Sequence, residues 1–205
     1  MAESFYYKHE RWFLFAFIWL VQALGYFWLN LVANSRNSYT LPLAFDQQIP
    51  FLSIFLIPYL AMYVVESLPY FVIREVAYLR RITLAYLAVM LVTFAIFAFF
   101  PVRMLRPEIV PASFLDSAVL LLYRLDFPYN TFPSLHASLT FLAGLVIYRI
   151  HQTEGTIVLL LAGLISLSTL FIKQHYVLDV LGGIALALLI HKIVLRTAAP
   201  GSRPI

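Results

Sequence analysis

Apolar residues run along this chain in long blocks, not in alternation, and the blocks set its plan. Stretches of roughly 20 apolar residues, the length that carries a helix across a hydrocarbon core, fall at about 11–33, 49–73, 82–101, 132–150, 156–172 and 176–195. Six such spans predict an all-α, integral membrane six-helix bundle forming a single membrane-embedded domain over 1–205. Prolines 50, 58 and 69 fall in or beside the second span and predict a bend there, tolerated where neighbouring helices satisfy the freed carbonyls. Two longer connections, 34–48 and 102–131, separate the blocks. The second holds Pro111, Pro128 and an amphipathic piece, 113–123, suited to lying along the interface. The first span is followed by the cleavage-like Leu31-Val32-Ala33-Asn34-Ser35. Its apolar part exceeds the roughly 7 to 15 residues of a signal peptide, so it reads as a retained helix.

Composition sharpens the class. With 62% hydrophobic and 12% charged residues, the chain has too little polar surface to coat a soluble globule. The net charge of +4 is scattered, with no basic run interleaved with aromatics, so no nucleic-acid partner is expected. The absence of cysteine removes thiolate metal sites, disulfides and cysteine nucleophiles.

Six spans put both termini on one side. That side carries nine basic residues (Lys8, Arg11, Arg74, Arg80, Arg81, Arg149, Lys192, Arg196, Arg203) against five (Arg36, Arg103, Arg106, Arg124, Lys173), which makes it cytoplasmic. The unusual polar residues then gather at the extracytoplasmic face: Arg103 and Arg106 after span three, Ser134 and His136 at the start of span four, and Lys173, His175 and Asp179 between spans five and six. Ionisable residues among apolar runs are costly and read as functional by default. A helix resuming by His175 would stand it four residues from Asp179 on one face, close enough for the carboxylate to hold the imidazole.

Two histidines, an aspartate, a serine and several cations at one face suit phosphoryl transfer through histidine. A neutral imidazole is a nucleophile near neutral pH, and a carboxylate behind it fixes its tautomer. A second imidazole can protonate the leaving alkoxide, and cations can hold the non-bridging oxygens without a metal. No cofactor is expected. The substrate would be a lipid phosphate or phospholipid in the membrane, with water or an alcohol as acceptor.

These residues resemble the type 2 phosphatidic acid phosphatase superfamily. Pro133-Ser134-Leu135-His136 is similar to its proline-serine-x-histidine signature, and His175 to Asp179 is similar to the histidine-three residues-aspartate signature. The resemblance covers roughly the last 125 residues, with a catalytic core at about 82–195. It implies that His175 is the nucleophile, Asp179 its orienter, His136 the general acid and base, and Ser134 a phosphate contact. The first signature is incomplete: Arg106-Pro107 is present, but Phe99 stands where a lysine is usual, and the nearest upstream cation is Arg103. Thr169 stands where an arginine is usual six residues before the nucleophile, and Leu135 replaces a common glycine. The departures look closest to the branch holding inositol phosphorylceramide and sphingomyelin synthases. Lys173 and Arg103 are then the candidates for the missing cations.

Two other classes compete. A haem-binding electron carrier would use His136 and His175 as axial ligands, and a transporter or scaffold would carry a degenerate site. Among the remaining residues, Asp46 and Asp116 read as helix-start or turn residues, and Arg124 and Asp126 as an interfacial pair or loop anchors. Gly182-Gly183 reads as close helix packing. Glu66, inside the second span, has no role beyond bundle packing.

Overall fold

The computed structural model describes residues 2–34 and 37–195, with side chains from residue 9 onward. Arg36, Arg196 and Arg203 of the charge count, Ser35 of the cleavage-like stretch and the Lys8 side chain lie outside that description. Among the described residues the chain is all-α: α1 (Ala2–Ala33), α2 (Leu56–Leu60), α3 (Met62–Val65), α4 (Leu68–Val72), α5 (Val76–Phe99), α6 (Phe114–Leu125), α7 (Leu135–Tyr148), α8 (Gln152–Phe171) and α9 (Val177–Ile190), with a π-helical turn at His191–Leu195. Four segments are long and apolar enough to cross a membrane: His9–Ala33, Val76–Phe99, Gln152–Phe171 and Val177–Leu195. On α1, Phe13, Leu20, Leu24, Trp28 and Leu31 repeat at helical spacing and are exposed, as a lipid-facing stripe requires.

The other two predicted spans take different forms. The segment 49–73 breaks into a 3-10 turn and α2 to α4, because Pro58 and Pro69 supply no N–H and the helix resets at Ala61 and at Glu66-Ser67. Its neighbours make good the loss: Tyr86 Oη of α5 donates to the Glu66 carbonyl at 2.8 Å, and Ser67 Oγ donates to Tyr63 O at 2.8 Å. The Glu66 carboxylate is buried and accepts from Gln22 Nε2 of α1 at 3.3 Å, giving a role to a residue that the sequence left without one.

Span 132–150 yields the 14-residue α7, about 21 Å long at 1.5 Å per residue. Eleven of those 14 residues are buried, so α7 is an interior helix whose apolar residues meet protein on nearly every side. Its small residues Ala137, Ser138, Ala143 and Gly144 admit α8 and α9 to close range. The α7–α9 crossing is closest where Ser134 N donates to Asp179 O at 2.9 Å. A Cβ on Gly183 would lie 2.4 Å from Ser134 O, and one on Gly182 would lie 2.7 Å from the Phe132 ring.

The two predicted long connections meet at one end of the bundle. Tyr39 N donates to Pro101 O (2.9 Å), Arg103 N to Tyr39 O (2.8 Å) and Met104 N to Pro128 O (2.8 Å), while Asn30 and Asn130 side chains tie α1 to the 126–131 loop. The amphipathic piece becomes α6, with Ser113 as its N-cap and Asp116 accepting from Ala112 N at 3.1 Å.

Gly183→Ala should lower stability by about 1–3 kcal/mol through overpacking. Gly163→Ala, where a Cβ meets nothing within 4 Å, should raise it by up to about 1 kcal/mol. Thermal unfolding of both variants in one detergent checks the contrast, and equal shifts would contradict the packing described.

Candidate active site

The end of α8 and the start of α9 are joined by a tight reversal that places His175. Gln174 N and His175 N both donate to Thr169 O, at 2.8 and 3.2 Å, and Lys173, directly before them, has φ 54°. A lysine in this left-handed region carries a cost of about 1–2 kcal/mol, so surrounding contacts must hold the turn. Those contacts come from the 43–49 loop. Lys173 Nζ donates to Asp46 O (3.2 Å) and Ile49 O (2.5 Å), and Asp46 Oδ1 accepts from Val177 N (3.0 Å) at the first turn of α9. Asp46 is therefore a helix cap supplied across 131 residues of sequence. Asp179 supplies a second, its Oδ2 accepting from Tyr176 N at 2.8 Å. With these donors taken and two carboxylates at the positive end of α9, that helix start is no receptor for an anion.

His175 Nδ1 lies 3.4 Å from Asp179 Oδ2. This is contact, but longer than the roughly 2.7–2.9 Å of a charge-assisted hydrogen bond, and His175 Nδ1 and Asp179 Oδ1 are both buried without a hydrogen-bond partner. A shift of about 0.5 Å closes the gap, a tightening common when a site fills. His136, on the second residue of α7, faces His175 edge-on with ring centroids 5.5 Å apart. Its other neighbour is the buried Tyr59 ring, stacked at 4.4 Å and 29°. His136 Nε2 is buried and unpartnered. Rings in edge contact leave no slot for a porphyrin between them, which counts against the haem reading. Ser134 is fully buried and caps α7, its Oγ accepting from Ala137 N at 3.3 Å. Among the described residues, no group of three His, Cys, Asp or Glu side chains is placed to hold a metal ion.

The three candidate cations are placed differently. Arg106 reaches inward: it donates to Tyr123 O (3.2 Å), Asp126 O (2.7 Å) and Gln174 Oε1 (2.5 Å), and stacks over the Tyr123 ring at 4.3 Å. Burial pulls its guanidinium below the usual arginine range, with Asp126 the main opposing influence. Arg106 Nε and Gln174 Nε2 are buried donors without a partner. Lys173 is committed to the loop carbonyls, and burial lowers its amine. Arg103 is exposed. The structure thus brings His175, Asp179, His136 and Ser134 together, adds Arg106 through Gln174, and leaves Lys173 and Arg103 outside that group.

A cavity of about 260 Å³ opens beside His136, walled by α1, α3 and the end of α6, with Asp126 on its lining. Asp126 Oδ1 accepts from Tyr26 Oη at 2.8 Å, and burial pushes its carboxyl above the usual range against the opposing Tyr26 bond. Sequence alone placed Asp46 on this side as a helix-start or turn residue, and did not find Tyr59, Gln174 or Asp126 as parts of this region. For Asp46, Tyr59 and Asp126 no local motif marks them; Gln174 carried one weak signal, its place directly before His175.

An all-α chain with four membrane-length helices, its paired imidazoles held at one end of the bundle, has the character of a membrane-embedded phosphoesterase. The profile of the PAP2 superfamily matches residues 44–193, and the chain belongs to that superfamily. Its relatives act on phosphate esters, so a phosphatase-type activity follows. No curated protein and no solved structure matches the chain significantly.

Arg106→Ala should cost about 2–3 kcal/mol, since it strands Gln174 Oε1 and two carbonyls at the end of α6 together. Arg106→Lys should recover less than half of that, because a single ammonium cannot span three acceptors. Denaturation of both variants in detergent measures the difference, and full rescue by lysine would contradict the bridging role.

Proposed function

We propose that the chain hydrolyses a lipid phosphate ester through a phosphohistidine at the extracytoplasmic face of the membrane. The observation that carries this reading is the pair of imidazoles 5.5 Å apart with Asp179 behind His175. His175 Nε2 attacks phosphorus while its Nδ1–H turns to Asp179. The P–O bond to the lipid breaks, and the departing alkoxide takes a proton from His136. Water then attacks the phosphohistidine and gives His136 a proton; the P–N bond breaks, releasing inorganic phosphate and restoring both imidazoles. Ser134 and the unpartnered Arg106 Nε and Gln174 Nε2 are the donors for the non-bridging oxygens, and no metal is required. Lys173 and Arg103 join them only by leaving the loop carbonyls or turning inward from the surface.

The reading carries a topology. The four long helices, together with 49–73 and 132–150, make six crossings with both termini cytoplasmic, in the plasma membrane or its equivalent. The lipid phosphate then lies at headgroup depth beside His136 and His175 while its chains stay among the helices. A second reading, transfer to an alcohol as in the inositol phosphorylceramide and sphingomyelin synthase branch, is favoured by the largely apolar cavity at His136.

His175→Ala should abolish phosphate release from a lipid phosphate, and Asp179→Asn should reduce it at least a hundredfold while keeping the cap on Tyr176 N. His136→Ala should harm an alkyl ester far more than p-nitrophenyl phosphate, whose leaving group needs no proton, and EDTA should leave wild-type turnover intact. Wild-type rates in folded His175→Ala, or loss in EDTA restored by a divalent ion, would sink the mechanism. Single cysteines at Ser38 and Ser113 should react with an impermeant reagent from outside intact cells, whereas one at Gln152 should not; the reverse pattern would turn the site to the cytoplasm.

A further inference from the structure

The cavity at His136 has a direction. Its rim residues Phe27, Tyr63 and Leu125 are 53, 45 and 68% exposed, whereas Tyr59, Met62 and Leu135 at its floor are 2, 3 and 4% exposed. It is thus a slot running inward from the lipid-facing flank to His136. At roughly 30 Å³ per water-sized group, its 260 Å³ holds about nine methylene-sized groups.

Its electrostatics differ from those on the His175 side. Among the described residues, no lysine or arginine lines the slot, nor does His175; its one charged side chain is Asp126, held by Tyr26 Oη at 2.8 Å. Arg106 instead donates to the backbone oxygen of Asp126 and, in the other direction, to Gln174 Oε1 beside His175. The Asp126 carboxylate thus lines the slot and Arg106 does not, although the two charges act on each other. A carboxylate in a largely apolar slot repels a phosphate and favours a neutral or cationic donor. In an in-line displacement at His175, the group opposite the nucleophile is the alcohol oxygen, and it is His136 that exchanges a proton with that oxygen.

We propose that this slot is the alcohol site. It takes the apolar body of the alcohol whose oxygen meets His136, and Asp126 accepts a hydrogen bond from a second hydroxyl or an amine next to that oxygen. Leaving and incoming alcohols use the same place, because the second half-reaction reverses the geometry of the first. The assignment rests on the reading of His136 as acid and base, and it adds a selectivity that the imidazoles do not provide: Asp126 separates diols and amino alcohols from plain alkanols.

Trp19 lines the slot, which gives a readout independent of turnover. In a Trp12→Phe, Trp28→Phe protein Trp19 is the sole tryptophan. There 12-bromododecane-1,2-diol should half-quench Trp19 at about a tenfold lower concentration than 12-bromododecan-1-ol, the worth of one hydrogen bond to a charged group. Asp126→Leu should cut that preference below about twofold. Asp126→Asn, which keeps an acceptor for Tyr26 and so guards against misfolding, should fall between. Ala23→Phe, on an exposed lining position, should fill the slot and remove quenching by both probes. In turnover, 2-hydroxydodecyl phosphate should be preferred over dodecyl phosphate by a similar ratio, and Asp126→Leu should erode it. Equal quenching in the unsubstituted slot, a preference that survives Asp126→Leu, or quenching untouched by Ala23→Phe would overturn the assignment. Diol-selective quenching without phosphate release from either ester would uphold the slot and refute the phosphoesterase reading.

Discussion

Ser134 N donates to Asp179 O where α7 and α9 press together, and the rest of the site takes its register from that contact. His136 follows Ser134 by two residues and His175 precedes Asp179 by four, so fixing one backbone bond fixes the spacing of both imidazoles. The contact exists because Gly183 has no Cβ to strike Ser134 O. It is supported from behind by α8, whose last turn, reversing at Thr169 O, returns the chain to α9. The close crossing thus depends on a glycine that packs directly against Ser134.

Around that crossing the structure keeps polar atoms unsatisfied. Arg106 Nε, Gln174 Nε2, His136 Nε2, His175 Nδ1 and Asp179 Oδ1 are buried without a hydrogen-bond partner. Each such group costs on the order of 1–3 kcal/mol in a closed interior, and these five lie on residues joined by direct contact or bonding. Arg106 organises this end by spanning the end of α6 and the approach to His175. The Asp126 carboxylate, held by Tyr26, lines the neighbouring cavity, while the guanidinium reaches Gln174.

Much of this was legible in the sequence. The apolar blocks marked the four long helices, because length and hydropathy are local properties, and the two histidine motifs marked His136, His175 and Asp179. Three distant clusters were expected to share one face; in the structure His136 meets His175 and Arg106 reaches Gln174, while Lys173 and Arg103 stay apart from them. The two shorter spans were less legible: apolarity marked 132–150 as a span but not that most of α7 would be buried against protein, because interior and lipid-facing helices are equally apolar. Lys173 illustrates a similar blindness. Its charge beside His175 suggested a phosphate ligand, but a left-handed turn aims its amine at carbonyls 46 and 49, and no one-dimensional pattern encodes that direction. Asp46 lacked a partner in sequence because its partner is Val177 N, a backbone group that every residue but proline carries.

The interrupted segment from α2 to α4 bears on how the protein is made. A helix with proline breaks and a polar side chain at Glu66 sits poorly in lipid alone, since its freed carbonyl and that side chain would face hydrocarbon. Other helices supply partners, Tyr86 of α5 for the Glu66 carbonyl and Gln22 of α1 for one oxygen of its carboxylate. These two contacts tie the broken segment to an earlier and a later helix, so its polar groups have both partners only once the chain has been made as far as α5.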